Sequence, residues 1–214
     1  MGTAALLIAF AYLIGSVSTA ILTTRLLGLP DPRTLGSGNP GATNVLRYGG
    51  RGVAALTLFG DAFKGFLPVA VGGWLGVSPA ILGATALAAF LGHLYPLYFG
   101  FRGGKGVATA LGVLLALGWP VAAAAALTWL AVAWITRYSS AGALAAAAAA
   151  PLYTAWFTSE TPVAIAVGLM TALLFWRHRG NIQRLLAGTE AKIGARKEGA
   201  GTAPRAPSNG AAGD

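Results

Sequence analysis

Fourteen of the fifteen Lys and Arg residues stand in short polar stretches between long apolar runs. When the runs are folded as membrane spans, all fourteen fall on one side. Arg25, Arg33, Arg47 and Arg51 share the first stretch, Arg102 and Lys105 the second, and Arg137 the third. Arg177, Arg179, Arg184, Lys192, Arg196, Lys197 and Arg205 form the last. The opposite connections carry no base. This is the positive-inside pattern of multispan membrane proteins, and it predicts that the basic loops are cytoplasmic. Lys64, the exception, lies inside an apolar run.

Composition agrees with a membrane chain. The 214 residues are 56% hydrophobic and 10% charged, with a mean hydropathy of +0.67, whereas soluble domains carry about 25% charged residues. The net charge of +9 could suggest nucleic acid. The bases are spread among apolar spans rather than along one soluble face, so anionic lipid headgroups explain them better. There is no Cys, which excludes disulfides, thiolate metal sites and Cys nucleophiles. With two His and six acids, no metal site and no cofactor are expected.

The expected fold is an all-α integral membrane protein. Seven spans are read, at Thr3–Thr24, Val53–Leu75, Pro79–Tyr98, Val107–Leu117, Pro120–Ile135, Gly142–Phe157 and Pro162–Trp176. A span needs about 20 residues, so the fourth is short and the last three are marginal. Five spans plus re-entrant segments are the alternative. Either count puts the N-terminus outside and the C-terminus in the cytoplasm. The N-terminal run has no preceding base, so it is expected to be a retained span rather than a secretory signal. Residues 1–190 are taken as one membrane domain. Residues 191–214, rich in Gly, Ala, Pro, Ser and Lys, are expected to be a disordered tail. Trp74, Trp119 and Trp156 fall near outer span ends and Trp134 and Trp176 near inner ones, as aromatic belts require.

Four polar stretches carry candidate chemistry. The first contains Gly36-Ser37-Gly38-Asn39-Pro40-Gly41-Ala42-Thr43-Asn44 and, after Val45-Leu46, Arg47. Its glycines fit a dinucleotide fingerprint, but no βαβ unit surrounds them. Glycines at this spacing let backbone N–H groups curl around an anion. Ser37, Asn39, Thr43 and Asn44 add neutral donors, and Arg47 offers a fork for phosphate. A flexible turn is the bland alternative. The second is Gly103-Gly104-Lys105-Gly106 ahead of a helical run. It fails the Walker A pattern, because Phe99 stands at the first Gly and Gly106-Val107 replaces the required Ser/Thr. A Gly-flanked Lys at a helix N-terminus still suits a phosphoryl group. His93, upstream in an apolar span, reads as a helix-packing residue or a base. The third is Thr136-Arg137-Tyr138-Ser139-Ser140, with Arg137 a topology anchor and two hydroxyls beside it. In the fourth, His178 and Asn181 share a face if helical, and His178 could titrate near neutral pH. Asp61 and Lys64, three apart within a span, read as a structural ion pair or as catalytic groups.

Taken together, these stretches resemble the acyl-phosphate:glycerol-3-phosphate acyltransferase family of bacterial inner membranes, from the first span to Glu190. The resemblance implies transfer of a fatty acyl group from acyl phosphate to the 1-hydroxyl of sn-glycerol 3-phosphate, giving lysophosphatidic acid and phosphate at the start of phospholipid synthesis. By position, Ser37, Arg47, Lys105, His178 and Asn181 match the family's active-site residues. Gly38, Asn39, Gly41, Thr43, Asn44, Gly103, Gly104, Gly106 and Ser140 are then expected to bind substrate phosphate. Some members carry a further Ser where Ala143 stands here. The partners implied are the two substrates and membrane lipid. The alternative reading is a small multispan transporter of phosphorylated metabolites, which would place a ligand at mid-membrane and show inverted repeats. No internal repeat is evident.

Overall fold

The computed structural model describes residues 2–194; residues 195–214, the greater part of the expected tail, lie outside the described residues. Every regular element is helical. In order they are α1 (Gly2–Gly15), α2 (Thr19–Leu26), α3 (Ala42–Val45), α4 (Gly50–Trp74), α5 (Pro79–Leu94), α6 (Val107–Leu117), α7 (Trp119–Thr136), α8 (Ser139–Thr158), α9 (Thr161–Arg177) and α10 (Arg179–Leu186). A single 3₁₀ turn, Leu97–Phe99, follows α5.

Six of the seven expected spans coincide with one helix each to within a few residues. The first does not. Thr3–Thr24 is broken at Ser16–Ser18, and α2 leaves α1 at 44°. The break has a physical use. It frees the Val17 carbonyl, which accepts a 2.6 Å hydrogen bond from Lys64 Nζ. Lys64 also pairs with Asp61 at 2.9 Å, one helical turn back on α4. His93 Nδ1 lies 3.7 Å from the same carboxylate. All three side chains are buried. The pair expected at 61 and 64 is thus present, and the broken first helix completes its shell.

Three helices are individually long and apolar enough to cross a membrane: α4, the segment from α5 through its 3₁₀ turn, and α7. Counting each bent pair, α1 with α2 and α9 with α10, as one span gives up to five. Helix α6 has only 11 residues, and α8, though 20 residues long, falls outside that set. Large apolar side chains cover the outer surface, among them Leu6, Phe59, Leu127, Leu152 and Ile165. Such a surface suits lipid rather than water. The Trp side chains at 74, 119, 134, 156 and 176 are all exposed at helix ends.

Glycine sets how close the helices come. Along the seam of α4 and α6, a Cβ on Gly112 would overlap the Ala62 carbonyl, and one on Gly65 would overlap that of Thr109. The seam of α1 and α5 repeats the device, with Gly15 against Ala89 and Gly92 against Tyr12. Phe90, Leu94, Val69 and Val113 fill the space between these seams. Without a hydrophobic force between helices in lipid, such backbone approach is the main source of association.

The polar loops meet at one end of this bundle. Arg33 donates to the Phe99 carbonyl at 3.2 Å, and Arg25 lies over the Phe99 ring. Ser140, at the start of α8, reaches Glu190. The backbone N–H of Ile193 donates to the Arg137 carbonyl at 2.7 Å. Replacing Gly112 with Leu forces α4 and α6 apart. The expected outcome is a loss of about 1–3 kcal/mol of stability, the usual cost of overpacking, read as a lower tryptophan-fluorescence melting midpoint in detergent. Gly168→Leu, where a Cβ meets nothing within 4 Å, is expected to leave the midpoint unchanged.

Candidate active site

The loop before α3 is organised by one amide. Asn44 Nδ2 donates to the carbonyls of Pro32 and Leu35, both at 3.0 Å, and its Oδ1 accepts from the Ser37 N–H at 2.9 Å. Gly36 has φ +59 and abuts the Asn44 side chain, so only glycine fits there. Asn44, expected as a phosphate donor, is therefore buried and fully committed to holding the loop. Ser37 and Thr43 are exposed beyond it. The Ser37 hydroxyl makes no hydrogen bond among the described residues. Gly38 and Gly41 direct their N–H groups to Leu35 and Asn39 carbonyls inside the loop. Arg47 follows α3 and is exposed, with no ion pair among the described residues.

The second loop is held on both sides. The N–H groups of Gly103 and Gly104 donate to the Leu94 and His93 carbonyls at the end of α5, each at 3.2 Å. The carbonyls of the same two glycines accept from Arg177: Nη2 to Gly103 at 2.6 Å and Nε to Gly104 at 3.0 Å. These N–H groups, expected to cradle phosphate, hold the loop instead. Gly106, at φ +87, opens α6. The unpaired N–H groups of the first turn of α6 thus follow directly after Lys105.

Lys105 joins this loop to the fourth. Its Nζ donates to Asn181 Oδ1, and Asn181 Nδ2 donates to Glu190 Oε1. The same carboxylate oxygen accepts from Ser140 Oγ at 2.7 Å, while Oε2 accepts from Arg184 Nε at 2.7 Å. Three expected site residues, Lys105, Ser140 and Asn181, are therefore one connected network. The expectation that His178 and Asn181 share a helix holds with a difference: His178 is the residue at the bend between α9 and α10, which meet at 59°.

Burial and repulsion set the charge states here. Burial first, then Arg184, Arg177 and Arg47, pull the Lys105 ammonium down to about 8, with Glu190 opposing. The influence of Arg47 brings the first loop into the same electrostatic site. His178 is buried, and that burial, aided by Lys105 and Arg177, lowers it to about 4, against the Leu174 carbonyl and Glu190. It is therefore neutral at physiological pH rather than titrating near it. Its Nδ1 lies 2.9 Å from the Leu174 carbonyl. A carbonyl only accepts, so Nδ1 carries the proton and Nε2 presents a lone pair. Burial raises the Glu190 carboxyl, but hydrogen bonds from Ser140, Asn181 and Arg184 outweigh it and hold the group below its usual range.

Four cations and one anion thus share the site: Arg47, Lys105, Arg177 and Arg184 against Glu190. Lys105, Arg47 and Arg184 can hold phosphorylated anions, which Lys and Arg grip as point charge and planar fork respectively, while the Arg177 fork is taken by the Gly103 and Gly104 carbonyls. No group of three or more His, Cys, Asp or Glu that could hold a metal occurs among the described residues. Asp61 and Lys64 are bound to each other, to Val17 and beside His93, outside this network. Three members were missed from sequence. Glu190 was signalled by being the first acid in a basic stretch, and Arg177 and Arg184 by nothing beyond their places near His178 and Asn181.

A family profile described as glycerol-3-phosphate acyltransferase matches residues 5–188. A glycerol-3-phosphate acyltransferase of Methylococcus capsulatus is 56% identical over 192 residues, covering 90% of this chain and 97% of that protein. One of Thioalkalivibrio sulfidiphilus is 59% identical over 191 residues, covering 89% and 94%. The fold matches crystal structures of PlsY (YgiH), an integral membrane glycerol 3-phosphate acyltransferase. For its glycerol 3-phosphate form the TM-score is 0.86 at 41% identity, covering 90% of this chain and 96% of that one. For its lysophosphatidic acid form the TM-score is 0.84 at 40% identity with the same coverage. The chain is an acyltransferase and belongs to the glycerol-3-phosphate acyltransferase family.

Proposed function

We propose that the site transfers a fatty acyl group from acyl phosphate to the 1-hydroxyl of sn-glycerol 3-phosphate, with two phosphorylated reactants gripped at the cytoplasmic face. The observation that carries this reading is the convergence of Arg47, Lys105, Ser140, His178, Asn181 and Arg184 at one end of the bundle, beside the Asn44-braced loop.

Phosphate is already a good leaving group, so no covalent acyl-enzyme is required, and the chain has no Cys to form one. The hydroxyl oxygen attacks the acyl carbonyl carbon. The carbon–oxygen bond to phosphate breaks, and the leaving phosphate takes the hydroxyl proton. Lys105, Arg47 and the first-turn N–H groups of α6 face the charge growing on the carbonyl oxygen and leaving group. Positioning two bound reactants supplies roughly 7–11 kcal/mol of barrier reduction. His178 is too weak a base for this task, because a useful base titrates near the working pH. Its Nε2 lone pair instead orients the attacking hydroxyl. Ser37 and Asn39 add polar contacts from the first loop.

We also place seven spans in the membrane, with α1 and α2 together as the first, followed by α4 to α9. The N-terminus is outside and the loops carrying Lys105, Ser140 and Asn181 are cytoplasmic, as in a bacterial inner membrane. The basic residues of those loops support this orientation. Helix α10 then lies along the inner face. Because the chain lacks Cys, single-Cys labelling tests it directly. Asn39→Cys and Lys105→Cys are expected to react with an impermeant maleimide only in inside-out vesicles. Val77→Cys is expected to react only from the opposite side.

Phosphate release by the purified protein, given acyl phosphate and glycerol 3-phosphate, tests the chemistry. Release is expected to need both compounds. Lys105 must be protonated to bind anions, so its charge is present below about pH 8 and lost above it. kcat/KM for glycerol 3-phosphate is therefore expected to fall as pH rises through about 8, and Lys105→Arg is expected to remove that limb. His178→Ala is expected to lower kcat by less than about 100-fold, the smallest loss typical of a missing general base. It is also expected to leave the acid side of the kcat profile unchanged above pH 5.

A further inference from the structure

Arg177 reaches across from the end of α9 to the Gly103–Gly104 loop. Its guanidinium donates to both glycine carbonyls and lies over the Tyr95 ring, 5.9 Å from the centroid. Tyr95 is itself tied down, because its carbonyl accepts a 2.8 Å hydrogen bond from the Tyr12 hydroxyl. On the other side, the loop N–H groups are fixed to α5, and the His93 ring abuts Gly104 so closely that a Cβ there would overlap Nε2. The loop thus has one rigid wall, α5, and one movable support, Arg177. Release of Arg177 frees two buried carbonyls and one side of the segment that carries Lys105.

From this geometry we infer that Arg177 is a positioning residue. Its fork holds the Gly103–Gly104 carbonyls so that Lys105 meets Asn181 in the same frame as the neighbouring His178. The inference rests on the acyl-transfer reading above. Arg177 touches neither reactant in it and acts through Lys105. Lysine cannot replace it, since an ammonium lacks the planar pair of donors that spans two successive carbonyls.

A double-mutant cycle separates this role from a general contribution to folding. Arg177→Gln is expected to lower kcat/KM for glycerol 3-phosphate at least tenfold, mainly through KM. Arg177→Lys is expected to remain at least fivefold impaired. In a Lys105→Ala background, Arg177→Gln is expected to cost less than a further twofold, because the group it positions is already gone. The alkaline limb gives a second readout. Lys105 faces Arg177 from α9, Arg184 from α10, Arg47 from the first loop, and Glu190 and His178. Removing Arg177 takes away one repelling charge, so the limb in Arg177→Gln is expected to move above pH 8. Full additivity with Lys105→Ala, an Arg177→Lys enzyme of wild-type efficiency, or an unmoved limb would each overturn the inference. Should Arg177→Gln not fold, Arg177→Lys and its cycle with Lys105→Ala decide the question alone. A wild-type protein that released no phosphate would instead overturn the acyl-transfer reading.

Discussion

The closeness of α4 and α6 underlies the rest of this structure. Gly112 and Gly65 let each helix press on the other's carbonyls, and α6 begins one residue after Lys105. The position of Lys105 is therefore set by a backbone seam that runs beside the buried Asp61 and Lys64 rather than by the loops alone. The seam of α1 and α5 does the same for the other side. It holds Tyr12 against Tyr95 and carries the α5 C-terminus, whose carbonyls anchor Gly103 and Gly104. In lipid, where apolar burial between helices contributes little, van der Waals contact at small residues is what makes such a scaffold rigid.

Charge is distributed in two ways that differ in purpose. Lys64 and Asp61 are buried in mid-helix and paired with each other, and the break between α1 and α2 supplies the Val17 carbonyl to Lys64. Removing one partner of such a pair leaves an uncompensated charge, which is strongly destabilising. The pair is thus a structural feature that ties the broken helix to α4. At the loop end the balance is deliberately uneven. Among the described residues, Arg47, Lys105, Arg177 and Arg184 have only Glu190 to oppose them. Burial, and then their repulsion, lowers the Lys105 ammonium to about 8. A bound phosphate would relieve that repulsion, so the arrangement of charges favours an anion.

Much of this was legible in the sequence, for a physical reason. Hydropathy and the one-sided bases report on lipid exposure, which is local, so helices α4 to α9 fall close to the runs that predicted them. The triplet spacing of Asp61 and Lys64 reports on a helical face, which is also local. The break at Ser16–Ser18 escaped notice because the side chain that takes the freed Val17 carbonyl, Lys64, lies 47 residues away. Asn44 and the Gly103 and Gly104 N–H groups look like ligand donors in one dimension. Only the folded chain reveals that carbonyls of Pro32, Leu35, His93 and Leu94 already take them. Glu190 marks the end of the family resemblance but carries no role in the sequence reading, since its three partners come from α8 and α10 and converge only in space.

The neutral state of His178 bears on the division of labour in the chemistry. A histidine flanked by Arg177 and Arg179 invites assignment as a pH-tuned base. In the fold, burial dominates, and the ring is held with Nδ1 on the Leu174 carbonyl. Lowering to about 4 leaves Nε2 a good acceptor and a poor proton sink near neutrality. A departing phosphate, by contrast, leaves as a multiply charged oxyanion that is a stronger proton acceptor than this histidine, and it is generated at the point where the proton is released. On the proposed transfer the protein then needs cations, fixed amides and one oriented lone pair rather than a strong base. In that reading Lys105, Asn181 and His178 supply them.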